Sequence, residues 1–256
     1  MLSIVIISYN NLPYLRFCID SIQKNSHFQN HIIVHSNVGE DGTLEWLNKE
    51  NITHTHSRDN IGFTRAANIA AEKAIGDYVC LVDDDTYLLP NWDYELIQFK
   101  RQHDLGPKDW ISSTIIERNH GCAGSIHGDY GSLDNFFEHH LHETQPDIEA
   151  EALISTQNTP LLIDINTWRE VGGCDEDFFV IGFEEGFAKR MFDFGCRNFV
   201  NAPKSLGYHF QSTTTNKISN RGEQSIIRDR VFKEKHDMET REFIWSINRG
   251  DKWAKI

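Results

Sequence analysis

Residues 78–85 read Tyr-Val-Cys-Leu-Val-Asp-Asp-Asp, an apolar run that ends in three consecutive carboxylates. No other stretch limits the fold so tightly. Val79, Leu81 and Val82 favour a buried strand, whereas Asp83, Asp84 and Asp85 cannot be buried unpaired without a cost of several kcal/mol. Both demands are met when a strand ends at a crevice and its carboxylates face a hard divalent cation. In open α/β sheets such crevices lie beyond the carboxyl ends of the strands. Mg²⁺ in such a place takes one or two carboxylates and keeps substrate phosphates among its other ligands. The plainer alternative is a solvated acidic turn after an edge strand, and three acids alone do not choose between the two.

The flanking pattern supplies the architecture. Residues 3–8 form a short apolar run suited to a strand buried on both faces, ending at Tyr9-Asn10-Asn11. Pro13 then sits where a helix accepts proline, and Leu12, Leu15, Ile19 and Ile22 recur at helical spacing, so 12–24 is expected to be helix. Ile32–Val34 reads as a second strand, followed by a Gly39–Thr43 turn that opens a helix through Leu44 and Leu47. Residues 52–56 read as a third strand, an alanine-rich helix runs to about Ala74, and 78–82 is the fourth strand. Four alternations of strand and helix predict a mostly parallel sheet.

The stretch from about 103 to 150 is rich in Gly, His and acids and has poor periodicity, so it is expected to be a long loop region or short elements laid over a site. Regular signals return as a strand at 160–165, a short helix at 166–171, a helix at 183–194 and a last strand at 198–200. The segment from 216 is polar and basic, then amphipathic around Ile226, Ile227, Val231 and Phe232. The expected organisation is one α/β domain with a Rossmann-like, mostly parallel mixed sheet, in three stretches: 1–102, 103–215 and a helical tail at 216–256.

Composition narrows the partners. A net charge of −13 without any Lys/Arg run argues against a nucleic-acid surface, so an anionic ligand must be held locally. Five scattered cysteines without a CxxC pair read as reduced thiols. With no signal-peptide pattern and no apolar run of spanning length, the expectation is a cytoplasmic protein, free or peripheral at a membrane.

Four stretches together resemble family 2 glycosyltransferases of the GT-A fold, over roughly residues 3–212. Ser3 to Asn10 is similar to the family's first strand and turn, and Asn60-x-Gly62-Phe63 with Asn68 to its nucleotide-side loop and helix. Leu81–Thr86 followed by Pro90-Asn91-Trp92 resembles its DxD strand and the turn beyond. Val171–Glu176 with Phe178, then Glu184-Glu185 and Arg190, resembles its acceptor-side segment. The resemblance implies an inverting, metal-dependent transfer of a sugar from a nucleotide-diphosphate sugar to a hydroxyl of a glycan or lipid-linked saccharide, with Mn²⁺ or Mg²⁺ as cofactor.

It also implies residue roles. Asp85 is expected at the cation, Asp83 as its partner and a contact to donor ribose or sugar, and Asp84 as a further donor-side or metal contact. Asp83 and Asp85 share a face if the strand continues to Asp85. Ser8, Asn10, Asn60, Gly62 and Asn68 fall on the nucleotide side; Trp92, Gly173 and Asp175 fall on the acceptor side. His209 takes the position of a histidine that completes the metal site or touches the diphosphate, although a histidine between aromatics can equally be packing. An inverting transfer needs a base for the acceptor hydroxyl; Glu185 aligns with the family's catalytic carboxylate and Glu184 is the reserve. The spacing to Arg190 is one residue short, which leaves the register between the two open. Where relatives carry an acid after the second strand, this chain has Ser36 and Asn37, which can still hydrogen-bond a base edge. Arg65 is a candidate diphosphate or ribose contact, with a solvated helix-surface arginine as the alternative. His139, His140, His142 and Glu143 have no zinc spacing and read as a solvated loop.

Three rivals are weaker. A phosphatase of the haloacid dehalogenase type needs Thr or Val where Tyr87 stands. A sugar-1-phosphate nucleotidyltransferase needs a Gly-rich basic loop where Ser8-Tyr9-Asn10-Asn11 stands. A non-catalytic glycan- or nucleotide-binding module on a transferase fold is favoured by the missing acid after strand two and opposed by the intact acidic clusters.

Overall fold

A computed structural model describes residues 1–119, 123–211 and 221–255. The first half alternates β1 (Leu2–Tyr9), α1 (Leu12–Asn25), β2 (His31–Asn37), α2 (Thr43–Lys49), β3 (Thr53–Ser57), α3 (Phe63–Ala71) and β4 (Tyr78–Asp83). These strands pair in parallel in the order β3-β2-β1-β4. The pattern in β1 explains the layering. Leu2, Ile4 and Ile6 pack on one face of the sheet with Leu15, Ile19 and Ile22 of α1, while Val5 packs on the other with Ala67 and Ala70 of α3. Each such side chain contributes roughly 1.5–3 kcal/mol by leaving water. The small alanines let α3 lie close against the strands. Pro13 occupies the first turn of α1, as the sequence predicts.

The second half contains β5 (Thr86–Leu88), α4 (Trp92–Gln102), β6 (Trp110–Glu117), β7 (Ser125–His127), α5 (Glu138–Thr144), β8 (Leu161–Asp164), α6 (Ile165–Val171), α7 (Phe183–Phe194), β9 (Phe199–His209), α8 (Arg221–His236) and α9 (Thr240–Ser246). They extend the same sheet as β4-β8-β6-β9-β5, with β7 beside β6. The expected boundary at 215/216 lies outside the described residues.

Two expectations need correction here. The 103–150 region is not simply irregular, because it contains β6, whose eight residues are all buried. Its centre, Ser112-Ser113-Thr114, lacks the apolar signature of a core strand. Partners from β9 offset the burial of the polar groups: Ser113 Oγ lies 2.6 Å from Ser205 Oγ, and Asn201 Nδ2 donates to Thr114 Oγ1 at 2.6 Å. The last strand is not three residues but eleven. Pro203 breaks the pattern, since it cannot donate to a ladder. A shift in the β6–β9 register, from Ser113↔Ala202 to Thr114↔Leu206, bulges past it and pairing resumes.

This topology positions the site. From β1 the chain winds outward through β2 and β3, then returns to place β4 on the other side of β1. Ligands in doubly wound sheets bind at such a reversal. The ends of β1 and β4, at Tyr9 and Asp83, both line the principal cleft.

Candidate active site

The cleft encloses about 570 Å³ and carries carboxylates on two facing walls. That volume is within the range of small-molecule sites.

The first wall is the end of β4. The strand stops at Asp83, the chain turns at Asp84-Asp85 and re-enters the sheet as β5. The expected strand alternation through Asp85 therefore does not hold, because the turn sets the directions of the last two acids. Asp83 accepts from Thr159 Oγ1 at 2.6 Å, and burial raises its pKa against the pull of His209. Asp84 is buried and accepts from Asn11 Nδ2 at 3.1 Å. Burial, then the charges of Asp85 and Asp83, push its pKa up to about 8.

Asp85 meets His209 across the sheet. Pairing of β5 with β9 sets Thr86 opposite His209, which leaves the imidazole Nε2 3.1 Å from Asp85 Oδ1. The parallel β6–β9 register sets Ile116 beside Tyr208, so Glu117 at the end of β6 reaches the other ring nitrogen, Nδ1, at 2.8 Å. Burial disfavours the imidazolium, but Asp85 and Glu117 outweigh it and hold the pKa well above the usual histidine value.

The second wall is the first turn of α7, where Glu184 and Glu185 profit from the helix dipole. Glu185 is 5% exposed and forms an ion pair with Arg249 at 3.6 Å. Glu184 is partly exposed to the cleft; burial and the Glu185 charge push its pKa up to about 8, and Arg249 opposes the rise. Residues 178–183 are strapped to the start of α3. Phe63 N donates to Phe179 O at 2.6 Å, Thr64 Oγ1 donates to Phe178 O at 2.6 Å, and the Phe63 and Phe183 rings lie 4.2 Å apart. Gly62 is required at this crossing: its φ is +82°, and a Cβ would collide with the Phe179 carbonyl.

Asn37, at the end of β2, joins the nucleotide-side residues. Its Nδ2 donates to Gly62 O at 3.2 Å, and its Oδ1 accepts from Ile61 N at 3.2 Å and Ser57 Oγ at 3.0 Å. Asn60 Oδ1 accepts from Gly62 N at 3.0 Å. The cleft thus brings together Asn37, Asn60, Gly62, Asp83, Asp84, Asp85, Glu184, Glu185 and His209.

Eight other expected site residues are placed outside its lining. Ser8 and Ser36 are wholly buried, Ser8 beneath Asp84 and Ser36 under the Gly39 turn. Asn10 accepts from Glu40 N at 2.9 Å and pins that turn. Arg65 is exposed on the surface of α3. Asn68 brackets α3 to the 173–176 turn, donating to Cys174 O at 3.0 Å and accepting from Cys174 N at 2.8 Å. Gly173 has φ +66° and packs on Asn68, where a Cβ would clash. Asp175 is buried between Arg190 at 3.4 Å and Lys235 at 2.7 Å. Trp92 is a core residue whose Nε1 donates to Ser26 Oγ at 3.0 Å. Apart from Arg65, these residues make packing, hydrogen-bond or ion-pair contacts outside the cleft lining.

Sequence reasoning missed Glu117, Gln157, Thr159, Arg228 and Arg249. A signal existed for Glu117: Trp110–Glu117 is a buried strand ending in an acid, the same signature as 78–83. Arg249 has none, since it reaches Glu185 from 64 positions along the chain.

Among the described residues no three His, Cys, Asp or Glu side chains form a ready-made metal cluster. Asp85 and His209 contact each other, while Asp83 is engaged by Thr159. The donor chemistry nevertheless fits a hard cation. Crowded carboxylates carry raised proton affinities, and Glu117 Oε2 is buried with no hydrogen-bond partner among the described residues.

Residues 3–128 match the sequence family described as Glycosyl transferase family 2. They belong to that family. The glycosyltransferase domain so defined covers β1 through β7, including the first wall of the cleft. Among curated proteins, none matches the chain by sequence. Solved structures show the same GT-A fold over nearly its whole length. S. aureus TarS matches at TM-score 0.61 with 15% identity, over 94% of this chain and 41% of that one. TarS 1–349 in complex with UDP matches at 0.62 with 14% identity, over 96% and 69%. GalNAc-T7 with UDP, GalNAc and Mn²⁺ matches at 0.62 with 15% identity, over 98% and 55%. The chain therefore spans less than half the length of TarS.

Proposed function

We propose that the protein is an inverting, cation-assisted glycosyltransferase that moves a sugar from a uridine-diphosphate sugar to a hydroxyl of a glycan or lipid-linked saccharide. The observation that carries this reading is one cleft, on a family 2 domain, faced by Asp83–Asp85 on one side and Glu184–Glu185 on the other. Uridine is favoured because related folds were solved with UDP and UDP-GlcNAc. Asn37, Asn60 and Gly62 line the nucleoside end. The four described cysteines are free and buried, which suits a reducing, cytoplasmic setting. No helix among the described residues is long and apolar enough to cross a membrane.

A divalent cation, Mn²⁺ or Mg²⁺, would be held by Asp85 with His209 and Asp83 beside it; when bound it supplies Lewis acidity toward the departing diphosphate. Asp83 orients the donor sugar or ribose, itself held by Thr159. Glu184 takes the acceptor proton as the hydroxyl oxygen attacks the anomeric carbon from the face opposite the diphosphate, which inverts that centre.

Two observations support Glu184 over Glu185. Glu184 faces the cleft with a proton affinity lifted toward neutral pH, whereas Glu185 is buried against Arg249. Moreover α7 runs unbroken from Glu184 to Arg190, which supports a register with the one missing residue before the acidic pair. Counted back from Arg190, the family's catalytic position is Glu184.

A thermal-shift screen of UDP, GDP, ADP and CDP, each with and without Mn²⁺, tests the donor reading. Ligand bound only to the folded state raises the apparent Tm. UDP with Mn²⁺ is expected to give the largest rise, followed by release of UDP from the corresponding sugar donor. Equal small shifts for all nucleotides, unaffected by Mn²⁺, would overturn it.

A further inference from the structure

The C-terminal segment carries a residue that belongs functionally to the cleft. Beyond α9 the chain is stitched to the sheet. Gly250 N donates to Ile154 O at 2.7 Å, Ile154 N to Asp251 O at 2.7 Å and Trp253 N to Ala152 O at 2.8 Å, while Ile154 in turn bridges to Val200 of β9. Trp253 anchors the end, its Nε1 donating to Asn198 Oδ1 at 3.2 Å. Arg249 sits between Asn248 and Gly250, both with positive φ (+51° and +91°), so the backbone turns on each side of it. Its side chain is 7% exposed although its segment is at the surface, and it meets Glu185 at 3.6 Å.

We infer that Arg249 is a positioning residue: by pairing with the buried Glu185 at the first turn of α7 it keeps the neighbouring base, Glu184, usable near neutral pH. This rests on the assignment of Glu184 as the base. Among the described residues, the charged groups that act most directly on Glu184 are Glu185 on its own helix, Arg249 from the C-terminal segment, Asp83 from β4 and Arg228 from α8. Glu185 and Asp83 favour the protonated acid and the two arginines favour the carboxylate. Arg228 is shared with Asp229 at 2.9 Å, which weakens its hold. Arg249 is the more buried counter-charge of the two, and removing it leaves Glu185, one residue from the base, with only the shared Arg228.

The test is carboxyl-carbon NMR of the full-length protein labelled at glutamate, with the Glu184 signal identified by its disappearance in Glu184→Gln. In the wild type that signal is expected to titrate at about 8. In Arg249→Gln the midpoint is expected to rise by about one pH unit, on the order of the effect of losing one nearby opposite charge. Turnover should then fall roughly tenfold at pH 7 and recover toward pH 9. Arg249→Lys should hold the wild-type midpoint, and Arg249→Gln combined with Glu185→Gln should bring it back to or below that value. An unmoved midpoint in Arg249→Gln, or a rate loss equal at every pH and unrescued by the double substitution, would overturn the inference. Should Arg249→Gln fail to fold, the double substitution, which leaves no uncompensated buried charge, decides by its own midpoint: one well above wild type refutes the pairing. If Glu184→Gln itself leaves turnover intact, the assignment of the base fails instead.

Discussion

The two walls of the cleft are built by different means. The aspartate wall closes a parallel block in which each strand declares itself: apolar run, turn, helix, apolar run. Its acids stand where β4 ends and the chain meets the cleft. The glutamate wall depends on groups from far along the chain: Phe63 and Thr64 fasten the loop before α7, Arg249 holds Glu185, and Lys235 with Arg190 holds Asp175 beneath. A local pattern fixes where a charge sits, but only tertiary partners fix what charge state it carries. Donor binding should therefore survive damage to the second wall, and turnover should not survive damage to either.

The largest expected effect is on the first wall. Asp85→Asn is expected to lower turnover roughly 10³-fold, about 4 kcal/mol, and to abolish the Mn²⁺-dependent part of nucleotide binding. Isothermal titration of UDP with and without Mn²⁺ checks this; wild-type behaviour in excess chelator would break the distinction between the walls. On the second side, Asp175→Ala leaves Arg190 and Lys235 without their shared partner. Because both are partly exposed, the expected loss is about 3 kcal/mol, the low end for a broken buried pair. Urea unfolding measures it, and UDP affinity should stay within about twofold.

The donor half has its own pH signature. His35 on β2 is buried between Thr55 Oγ1 at 2.8 Å and Ser57 Oγ at 3.1 Å. Burial, then the neighbouring His56, pull its pKa down to about 4. A depressed folded pKa means the unfolded chain takes up the proton first. The contribution of His35 to stability is complete above about pH 6.5 and falls as pH drops toward 4, by about 2–3 kcal/mol. Urea unfolding at pH 7.5 and 4.5 should show a smaller loss for His35→Gln than for the wild type. The smallest effect is at the nucleoside end. Asn37→Ala removes the carboxamide that ties β2 to the 57–62 loop, and a loss of about 1 kcal/mol, roughly fivefold in UDP affinity, is expected.

How far the sequence could be read follows the same division. β1 to β4 and the span of α7 are visible in periodicity, and the acids that line both walls stand out in the sequence. β6 was hidden because Ser112, Ser113 and Thr114 look like a loop until Ser205 and Asn201 arrive beside them. The last strand reads as only 198–200, since no local rule announces the bulge that carries β9 past Pro203. Trp92, Gly173 and Asp175 stand at motif positions, yet their contacts are with the core, with Asn68 and with two cations. Glu117 was within reach, because Trp110–Glu117 repeats the strand-then-acid signature. The preference for Glu184 over Glu185 draws also on Arg249, which no local pattern connects to the acidic pair.

The central claim is that the two walls divide the work, with donor binding on one and proton removal on the other. Its most direct test is Glu184→Gln, with single-turnover transfer rate and UDP-sugar Kd measured on the same preparation. The account expects the rate to fall about 10²–10⁴-fold, the range for loss of a general base, with Kd within about twofold of the wild type. A wild-type rate, or a Kd that weakens as much as the rate, would contradict it.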